Sequence, residues 1–322
     1  MGICTGLVNQ YIPRLRKYSN VVCYIELQTM KLIIFLSFFP IFCFGQISIT
    51  GKVINKRTKQ AIAFATVGLV KENIGTNALE DGSFQLNSIN PILNDTLIIS
   101  CLGFLTVKLP VDNLRKEKYV FELPEQQTIL DEVTVKSRTN WKYETLNDFS
   151  NCGNHFITSG GYQTQIAQHL QALEYNSILT EVKICRMSSF LIGPEKTIFR
   201  IRIYDIDTLT KSPASDLCDQ IIEVKTRSKT VSVNLEKYKI RIPNKDFFVA
   251  VEWLKIPYNE SKSTIKINGK ETEHITYRPS IGWTENPNPQ MEAWMLDYKN
   301  IWRRMFKSTI RTSVSISATV KY

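Results

Sequence analysis

The three histidines of the chain decide whether it can hold a catalytic zinc ion. A zinc peptidase needs His-x-x-Glu with a distant third ligand, or His-Glu-x-x-His, so that the metal keeps one position open for water. The third residue after each histidine is threonine for His155, alanine for His169 and tyrosine for His274. The sequence therefore predicts that the chain is not a zinc peptidase.

Nucleophilic catalysis has equally little support in the sequence. A serine hydrolase of the elbow type requires Gly-x-Ser-x-Gly, which does not occur. Cys152 and His155 lie three residues apart beside Gly153, but close neighbours in sequence rarely form the spatial pair that a thiol nucleophile needs. We interpret this segment as a loop entering a second domain, and we expect the chain not to be an enzyme.

Aspartates are concentrated around one predicted hairpin. Asp205 and Asp207 precede a loop, and Asp216 and Asp219 follow it. Calcium binds clusters of oxygen ligands, whereas aspartate also serves simply as a turn former. A calcium site at Asp205 and Asp207 and a solvated acidic loop therefore remain alternatives, and no other cofactor is predicted.

Dispersed carboxylates leave one catalytic alternative open. Two aspartate or glutamate residues at the right separation suffice for glycoside cleavage and produce no local motif. A glycoside-type hydrolase in the C-terminal half of the chain is therefore the alternative function.

Aromatic residues in a proline-rich stretch near the C-terminus are the candidates for ligand contact. Tyr277, Trp283 and Trp294, with Trp302 after them, would offer large contact areas to a sugar or a protein if exposed. Core packing explains them equally well. Trp253 lies in phase with Val249 and Val251 of a predicted strand and is predicted to be core.

The N-terminal residues predict export. Lys31 is followed by an apolar run over 32–44, which is too short for a comfortable membrane span and typical of a signal peptide at 30–45. Residues 1–29 precede this complete signal and are interpreted as a mis-assigned start. The mature chain would then begin at Gln46, with no membrane-spanning segment.

The net charge of +10 does not by itself indicate nucleic-acid binding. Loss of four basic residues and one acidic residue with the leader reduces 40 and 30 to 36 and 29, a net charge of +7. Lysines and arginines are scattered among acids, without the basic and aromatic stripe that nucleic-acid binding favours. Phe42 before Cys43 does not fit a lipoprotein signal.

Four cysteines remain in the mature chain, in a compartment that is predicted to be oxidising. Cys101 lies in an apolar run and is predicted to be a buried free thiol. Among Cys152, Cys185 and Cys218 one disulfide is possible, and Cys185 with Cys218 is the pairing we select.

Residues 46–123 have the pattern of short strands separated by turn residues, with Asp81-Gly82 as a tight turn. Four motifs occur in order, at 50–53, 65–67, 75–84 and 97–104. Together they resemble the carboxypeptidase-regulatory-like domain of bacterial envelope proteins. The resemblance implies a seven-stranded, transthyretin-like sandwich.

In that family the domain often heads TonB-dependent outer-membrane receptors, and residues 130–135 resemble the segment leading into a receptor's plug. A 22-stranded barrel needs several hundred residues more than follow this segment. The chain is therefore not predicted to be a transporter.

The remaining residues predict a second, larger β-domain at 142–322, after a linker at 124–141. Strict alternation at 199–204 and 231–235 indicates strands with one buried face. Residues 163–173 favour a helix, although a strand also fits. We expect an all-β chain whose second domain is a jelly-roll-like sandwich.

These features together predict an exported, non-catalytic binding or assembly protein of a Gram-negative envelope, in the periplasm or associated with the outer membrane. The expected partner is a glycan, a peptide or another envelope protein. The two domains are expected to fold independently, with few contacts between them.

Overall fold

Strands dominate the computed structural model, which describes residues 47–88, 94–113, 118–126, 140–187, 195–267, 269–285, 292–305 and 312–322. The predicted extension at 1–29, the predicted signal peptide at 30–45 and most of the predicted linker, including 130–135, lie outside these ranges. In the described ranges no helix has the length and apolar character needed to cross a membrane. Residues 46–322 form one compact unit.

The first sandwich, within residues 47–126, is built from two small sheets. Its strands are β1 (Ile47–Asn55), β2 (Thr66–Leu69), β3 (Ile74–Asn77), β4 (Ser83–Ser88), β5 (Thr96–Ser100), β6 (Val107–Pro110) and β7 (Tyr119–Leu123), with a short 3-10 turn at Val111–Asn113. One sheet has the order β4-β1-β7, with β7 parallel to β1, and the other has the order β3-β2-β5-β6. This arrangement confirms the seven-stranded sandwich.

Alternation along the short strands produces the core of this sandwich. Val53, Leu97 and Ile99 are fully buried between the sheets. The predicted tight turn is present, since Gly82 has φ of +80° and Asp81 accepts the backbone N–H of Ser83. A side chain at Gly82 would lie 2.5 Å from a backbone carbonyl. Glycine is therefore required there for both conformation and space.

The second sandwich, within residues 140–322, has two larger sheets. Its strands are β8 (Tyr143–Leu146), β9 (His155–Ser159), β10 (Gln163–Gln171), β11 (Ser177–Met187), β12 (Thr197–Ile206), β13 (Pro213–Asp216), β14 (Ile222–Thr226), β15 (Thr230–Asn234), β16 (Arg241–Ile242), β17 (Asp246–Trp253), β18 (Glu260–Ile267), β19 (Lys270–Glu285), β20 (Ala293–Asp297), β21 (Trp302–Arg304), β22 (Thr312–Val314) and β23 (Ile316–Lys321). Short 3-10 turns occupy Glu236–Tyr238 and Pro257–Asn259.

The two large sheets differ in their strand order. One runs β13-β12-β17-β10-β20-β21 with β14 also on β12, and we call it the inner sheet. The other runs β18-β19-β11-β23-β8, with β15 and β16 on β11 and with β9 and β22 on β19, and we call it the outer sheet. Their facing sides enclose one large apolar cluster, which includes Trp253, as predicted. The all-β class is confirmed.

The helix predicted at 163–173 is wrong, because β10 occupies that segment in the middle of the inner sheet. Ile166 and Leu170 are four residues apart, a spacing that fits one face of a helix and equally one face of a strand. Gln168, between them, is buried and its side-chain oxygen accepts the backbone N–H of Val314. Leu173, which completed the helical pattern, lies beyond the strand and is exposed.

The other face of the inner sheet is also covered, in part by the first sandwich. The Arg200 guanidinium donates to the backbone carbonyls of Ala63 and Phe64. Phe64 also belongs to a small apolar cluster with Ile198 and Leu254. The two sandwiches are therefore joined by specific polar and apolar contacts, and their independent folding stays a prediction.

The predicted disulfide between Cys185 and Cys218 is also wrong, because Cys152 pairs with Cys185 at a Cα–Cα distance of 5.1 Å. Both pairings span 33 residues, so spacing alone favours neither. Cys218 is a buried thiol that donates to the carbonyl of Gln220. Cys101 is a buried free thiol, as predicted, and burial raises its pKa.

Candidate functional site

The three aromatic residues predicted to contact a ligand do not form one patch. Tyr277 and Trp283 lie six residues apart on β19, which separates them by about 20 Å along the strand. Trp294 belongs to β20 in the other large sheet. Any ligand contact by these residues would therefore involve different parts of the molecule.

Trp283 and Trp294 have different surroundings. Trp283 is half-buried at the margin of the large core and stacks on His155, with ring centroids 4.5 Å apart. Trp294 is buried against Phe248, and the Arg304 guanidinium lies 5.5 Å from its ring. Ligand binding by these tryptophans stays a prediction, and the burial of Trp294 gives it no support.

The aspartates predicted to bind calcium have other partners. Asp205 accepts the side-chain amide of Asn244 at 2.9 Å. Asp207 accepts the backbone N–H groups of Thr210 and Leu209, and these hydrogen bonds lower its pKa. Within the described part of the chain, no three His, Cys, Asp or Glu residues form a group suited to a metal ion. A calcium site stays a prediction without structural support.

An ion network holds the paired carboxylates on the face of the inner sheet that is turned away from the large apolar cluster. Glu252 is buried there and Asp216 is more exposed. The Arg202 guanidinium lies 2.7 Å from Asp216 and 3.3 Å from Glu252. Beside it, the Tyr204 hydroxyl donates to Gln165 at 2.8 Å. Desolvation raises the pKa of Asp216, although the Arg202 charge opposes that shift.

This network has the geometry of an internal ion pair. A glycosidase needs its two carboxylates on either side of a bound sugar, whereas Asp216 and Glu252 both contact one guanidinium. The glycoside-type hydrolase therefore gains no support from this pair.

The most exposed recognition feature is a hairpin that leaves the outer sheet. β18 pairs with the first half of β19 from Glu260 opposite Tyr277 to Ile267 opposite Lys270. We call residues 260–267 and 269–277 the arm. Among the described strands β18 pairs only with β19, so its second edge is open. The side chains over 261–266 and 269–275 are exposed.

The arm carries balanced charges and two exposed isoleucines. Ile265 and Ile275 keep 37% and 38% of their surface in solvent. Lys262 lies 3.4 Å from Glu260 and 3.3 Å from Glu273. The hydrogen bonds that the Lys262 ammonium donates to the carboxylates of Glu273 and Glu260 raise its pKa. The hairpin thus neutralises one of its own edge lysines.

The base of the arm lies where the two sandwiches meet. At Tyr277, β19 passes from the arm into the sheet and pairs with Ser159 of β9. Next to it, the buried Lys255 ammonium donates to the carbonyl of Gly161, and it lies 5.9 Å from the ring of Tyr277 and 5.0 Å from that of Tyr298. Burial lowers the pKa of Lys255 to about 7.

Contacts from the first sandwich complete this junction. The backbone N–H of Lys255 donates to the side chain of Asn77 at 2.7 Å. The Tyr298 ring lies against β2 and β3, where a Cβ atom at Gly68 or Gly75 would be 2.5 or 2.2 Å from it. The arm is therefore continuous, through β19, with the junction of the two sandwiches.

Sequence reasoning did not find Lys255 or the arm, although one signal for the arm was present. Asn268-Gly269 stands between alternating residues, and Asn-Gly is a strong hairpin signal. The position of Lys255 beside Tyr298 has no local signal, because the two residues are brought together by separate strands.

Comparison with solved structures gives only distant similarities. The cysteine protease and lectin-like domains of a surface-layer associated protein of Clostridium difficile match with 7% identity and a TM-score of 0.32, over 80% of this chain and 59% of that chain. The major pilin subunit of Bacillus cereus matches with 8% identity and a TM-score of 0.18, over 84% and 69%. The chain thus spans less than two thirds of the first structure, and at these scores neither similarity carries an argument.

In the sequence comparisons, the match to a known family lies in the first sandwich. No curated protein sequence matches the chain. The family model of the CarboxypepD_reg-like domain matches residues 49–135, a range that begins in β1 and includes β2 to β7. The motifs, the seven strands and this match agree that the first sandwich is similar in sequence to the CarboxypepD_reg-like domain.

Proposed function

We propose that the protein is an exported, non-catalytic binding and assembly protein of the bacterial envelope, and that its arm contacts a protein partner. The carboxypeptidase-regulatory-like domain supports a regulatory rather than catalytic role for the first sandwich. The arm belongs to the second sandwich and supplies the contact surface. Of the three partner classes predicted from sequence, this favours a peptide or envelope protein over a glycan.

Export is supported by the cysteine chemistry together with the leader sequence. The Cys152–Cys185 disulfide would be stable in an oxidising compartment and would be reduced in most cytosols. The segment at 30–45 has the pattern of a signal peptide. Location in the periplasm or at the outer membrane is consistent with both.

Groups that could do covalent chemistry are engaged elsewhere. Cys152 is held in the disulfide and cannot supply a thiolate. His155, its neighbour in sequence, stacks on Trp283. Asp216 and Glu252 share Arg202. These assignments support recognition rather than catalysis.

The open edge of the arm is the observation that carries the proposal. A lone two-stranded hairpin is marginally stable in water, and an unpaired strand edge is a template for another strand. Here the edge of β18 is open among described strands, and Ile265 is partly exposed on it. Strand addition supplies main-chain hydrogen bonds for affinity, while alternate side chains supply specificity.

Shortening the arm tests this proposal. Lys262 and Ile275 face each other, so residues 263–274 can be replaced by Asn-Gly, which closes a two-residue turn in the same register. The full and shortened chains are exported by the host cell, cross-linked in place and compared by mass spectrometry. Leu209→Ala, at a loop position 92% exposed, serves as the matched surface control.

We expect the full chain and the Leu209→Ala variant to capture the same identified envelope protein, and the shortened chain to lose it. The shortened chain should retain its disulfide and its melting transition. Equal capture by all three chains would show that the arm is not the contact surface.

A further inference from the structure

We propose that the arm binds a second copy of this chain, through antiparallel pairing of the two β18 strands about a two-fold axis at Ser263. This inference rests on the proposed function and names its partner. A two-fold interface requires one surface that complements itself, and the order of charges along β18 provides it.

The side chains that would meet across this interface follow from the alternation of the strand. Glu260, Lys262, Thr264 and Lys266 share one face of β18, because alternate residues of a strand point to the same side. In an antiparallel pair, directly opposite residues also share a face and interact. Which residues of the second copy lie opposite these four side chains therefore depends only on the register of the two β18 strands.

The register centred on Ser263 matches opposite charges over the longest overlap, residues 260–266 of both strands. An axis at Ser261 would also place Glu260 opposite Lys262, but only residues 260–262 of β18 would overlap. With the axis at Ser263, Glu260 lies opposite Lys266 of the second copy, and Lys262 lies opposite Thr264. The symmetry produces the Glu–Lys pair twice. Opposite charges facing each other across a ladder are stabilising, and like charges are destabilising.

The neighbouring symmetric registers place like charges together. With the axis at Thr264, Lys262 lies opposite Lys266 of the second copy. With the axis at Lys262, the two copies of that lysine face each other. A two-fold axis that passes between two residues of β18 is excluded. It would place a residue whose N–H and C=O groups point toward the second copy opposite a residue whose groups point away from it. Charge order and length of overlap together therefore favour the register centred on Ser263, in which the strand complements a second copy of itself.

The edge lysines do not protect β18 against such pairing in the usual way. Exposed lysines often blunt an edge strand, but Lys262 is already neutralised by Glu260 and Glu273. Lys266 lies opposite Glu271 of β19 but forms no ion pair within 4.0 Å among the described residues, so it can reach Glu260 of a second copy. Lys262 would keep Glu273 when Glu260 turns to the second copy. Pairing would convert two marginal hairpins into one four-stranded sheet, which is a stable size.

Charge exchange tests the inference directly. The oligomeric state of residues 46–322 is measured by analytical ultracentrifugation for the natural sequence, for Lys266→Glu, for Glu260→Lys and for the double variant with both changes. Lys108→Glu, at an exposed position of the first sandwich, makes the same change in net charge as Lys266→Glu and serves as its control.

We expect a dimer for the natural sequence and for Lys108→Glu. Each single arm variant creates two like-charge pairs and should weaken dimerisation about tenfold or more. The double variant exchanges the two charges, restores both pairs and should restore dimerisation.

Three results would overturn the inference. One is a natural sequence that stays monomeric at the highest attainable concentration, and another is a dimer unaffected by both single variants. The third is a double variant as weak as the single ones. If the arm instead captures a different envelope protein in cells, the proposed function stands and the second copy is excluded. If it captures nothing, the proposed function fails as well.

Discussion

Replacing Lys255 by methionine should change how the stability of the protein depends on pH. The amine is buried at the junction of the sandwiches, and desolvation lowers its pKa to about 7. In the unfolded chain a lysine titrates near its ordinary pKa of 10.5. The folded state therefore binds fewer protons than the unfolded state between these values, and stability must rise with pH across that interval.

The size of this effect follows from the two pKa values. A difference of about 3.5 pKa units corresponds to roughly 4 to 5 kcal/mol, and the part realised between pH 7 and 9.5 is about 3 kcal/mol. Above pH 10 the effect is opposed, because burial raises the pKa of Tyr298 in the folded state. The measurement is therefore best confined to pH 6 to about 9.5.

Urea unfolding at a series of pH values checks this prediction. The natural protein should gain about 3 kcal/mol between pH 7 and 9.5, and Lys255→Met should lack that gain. At pH 6 the variant should be the more stable form, although it loses about 1 kcal/mol with the hydrogen bond to Gly161. Lys108→Met, at an exposed site, should behave like the natural protein. If the free energy of unfolding changed with pH in the same way for Lys255→Met and the natural protein, a buried Lys255 amine with a lowered pKa would be refuted.

Three further changes test the junction, the disulfide and the ion network. Gly75→Ala should cost about 1 to 3 kcal/mol in calorimetry and lower the stability of both sandwiches together, because its Cβ would lie 2.2 Å from the Tyr298 ring. Gly160→Ala is the control and should cost far less, because the nearest atom to its Cβ would be 3.5 Å away. Equal losses of stability in the two variants would contradict the packing described. Cys152→Ser should cost about 3 to 4 kcal/mol by opening a loop of 33 residues. Thiol titration of the denatured, unreduced mature chain should rise from two thiols in the natural protein to three in the variant. Four thiols in the natural protein would rule the disulfide out. Arg202→Met should cost about 1 to 3 kcal/mol at pH 7, because the buried Glu252 carboxylate and the more exposed Asp216 lose their shared cation. The loss should be smaller at pH 5, because desolvation raises the pKa of Asp216 and the variant lacks the Arg202 charge that opposes this shift. A loss that is independent of pH would contradict this.

The first sandwich could be predicted from the sequence because its determinants are local. Asp81-Gly82 specifies a turn, and the neighbouring alternation specifies which face is buried. The family motifs then order the strands. Here the information is carried by short segments, so a single sequence suffices.

For the second sandwich, the sequence predicted the all-β fold class but not which strands pair with one another. Ile166 and Leu170 fit a helix and a strand equally, and only burial on both sides of β10 decides between them. Trp294 could have been a ligand contact or core, and its position against Phe248 depends on pairing between β10 and β20. Such choices depend on long-range pairing, which local patterns do not encode.

The junction could not be predicted for the same reason. Tyr298 reaches Gly68 and Gly75 across more than 220 residues of sequence, and Lys255 becomes buried only when these elements meet. The arm could have been predicted more easily, because Asn268-Gly269 and the alternation before it are local sequence signals. Its open edge is nevertheless a property of the assembled sheet.

The most direct test of the central claim is site-specific photo-cross-linking in intact exporting cells. A photo-reactive amino acid is placed at Ser263, on the exposed edge of the arm, or at Leu209, in an exposed loop of the same sandwich. We expect a defined adduct from position 263 that contains an envelope protein, with this chain itself as the expected partner, and no such adduct from position 209. Absence of an adduct from position 263, or the same products from both positions, would contradict it.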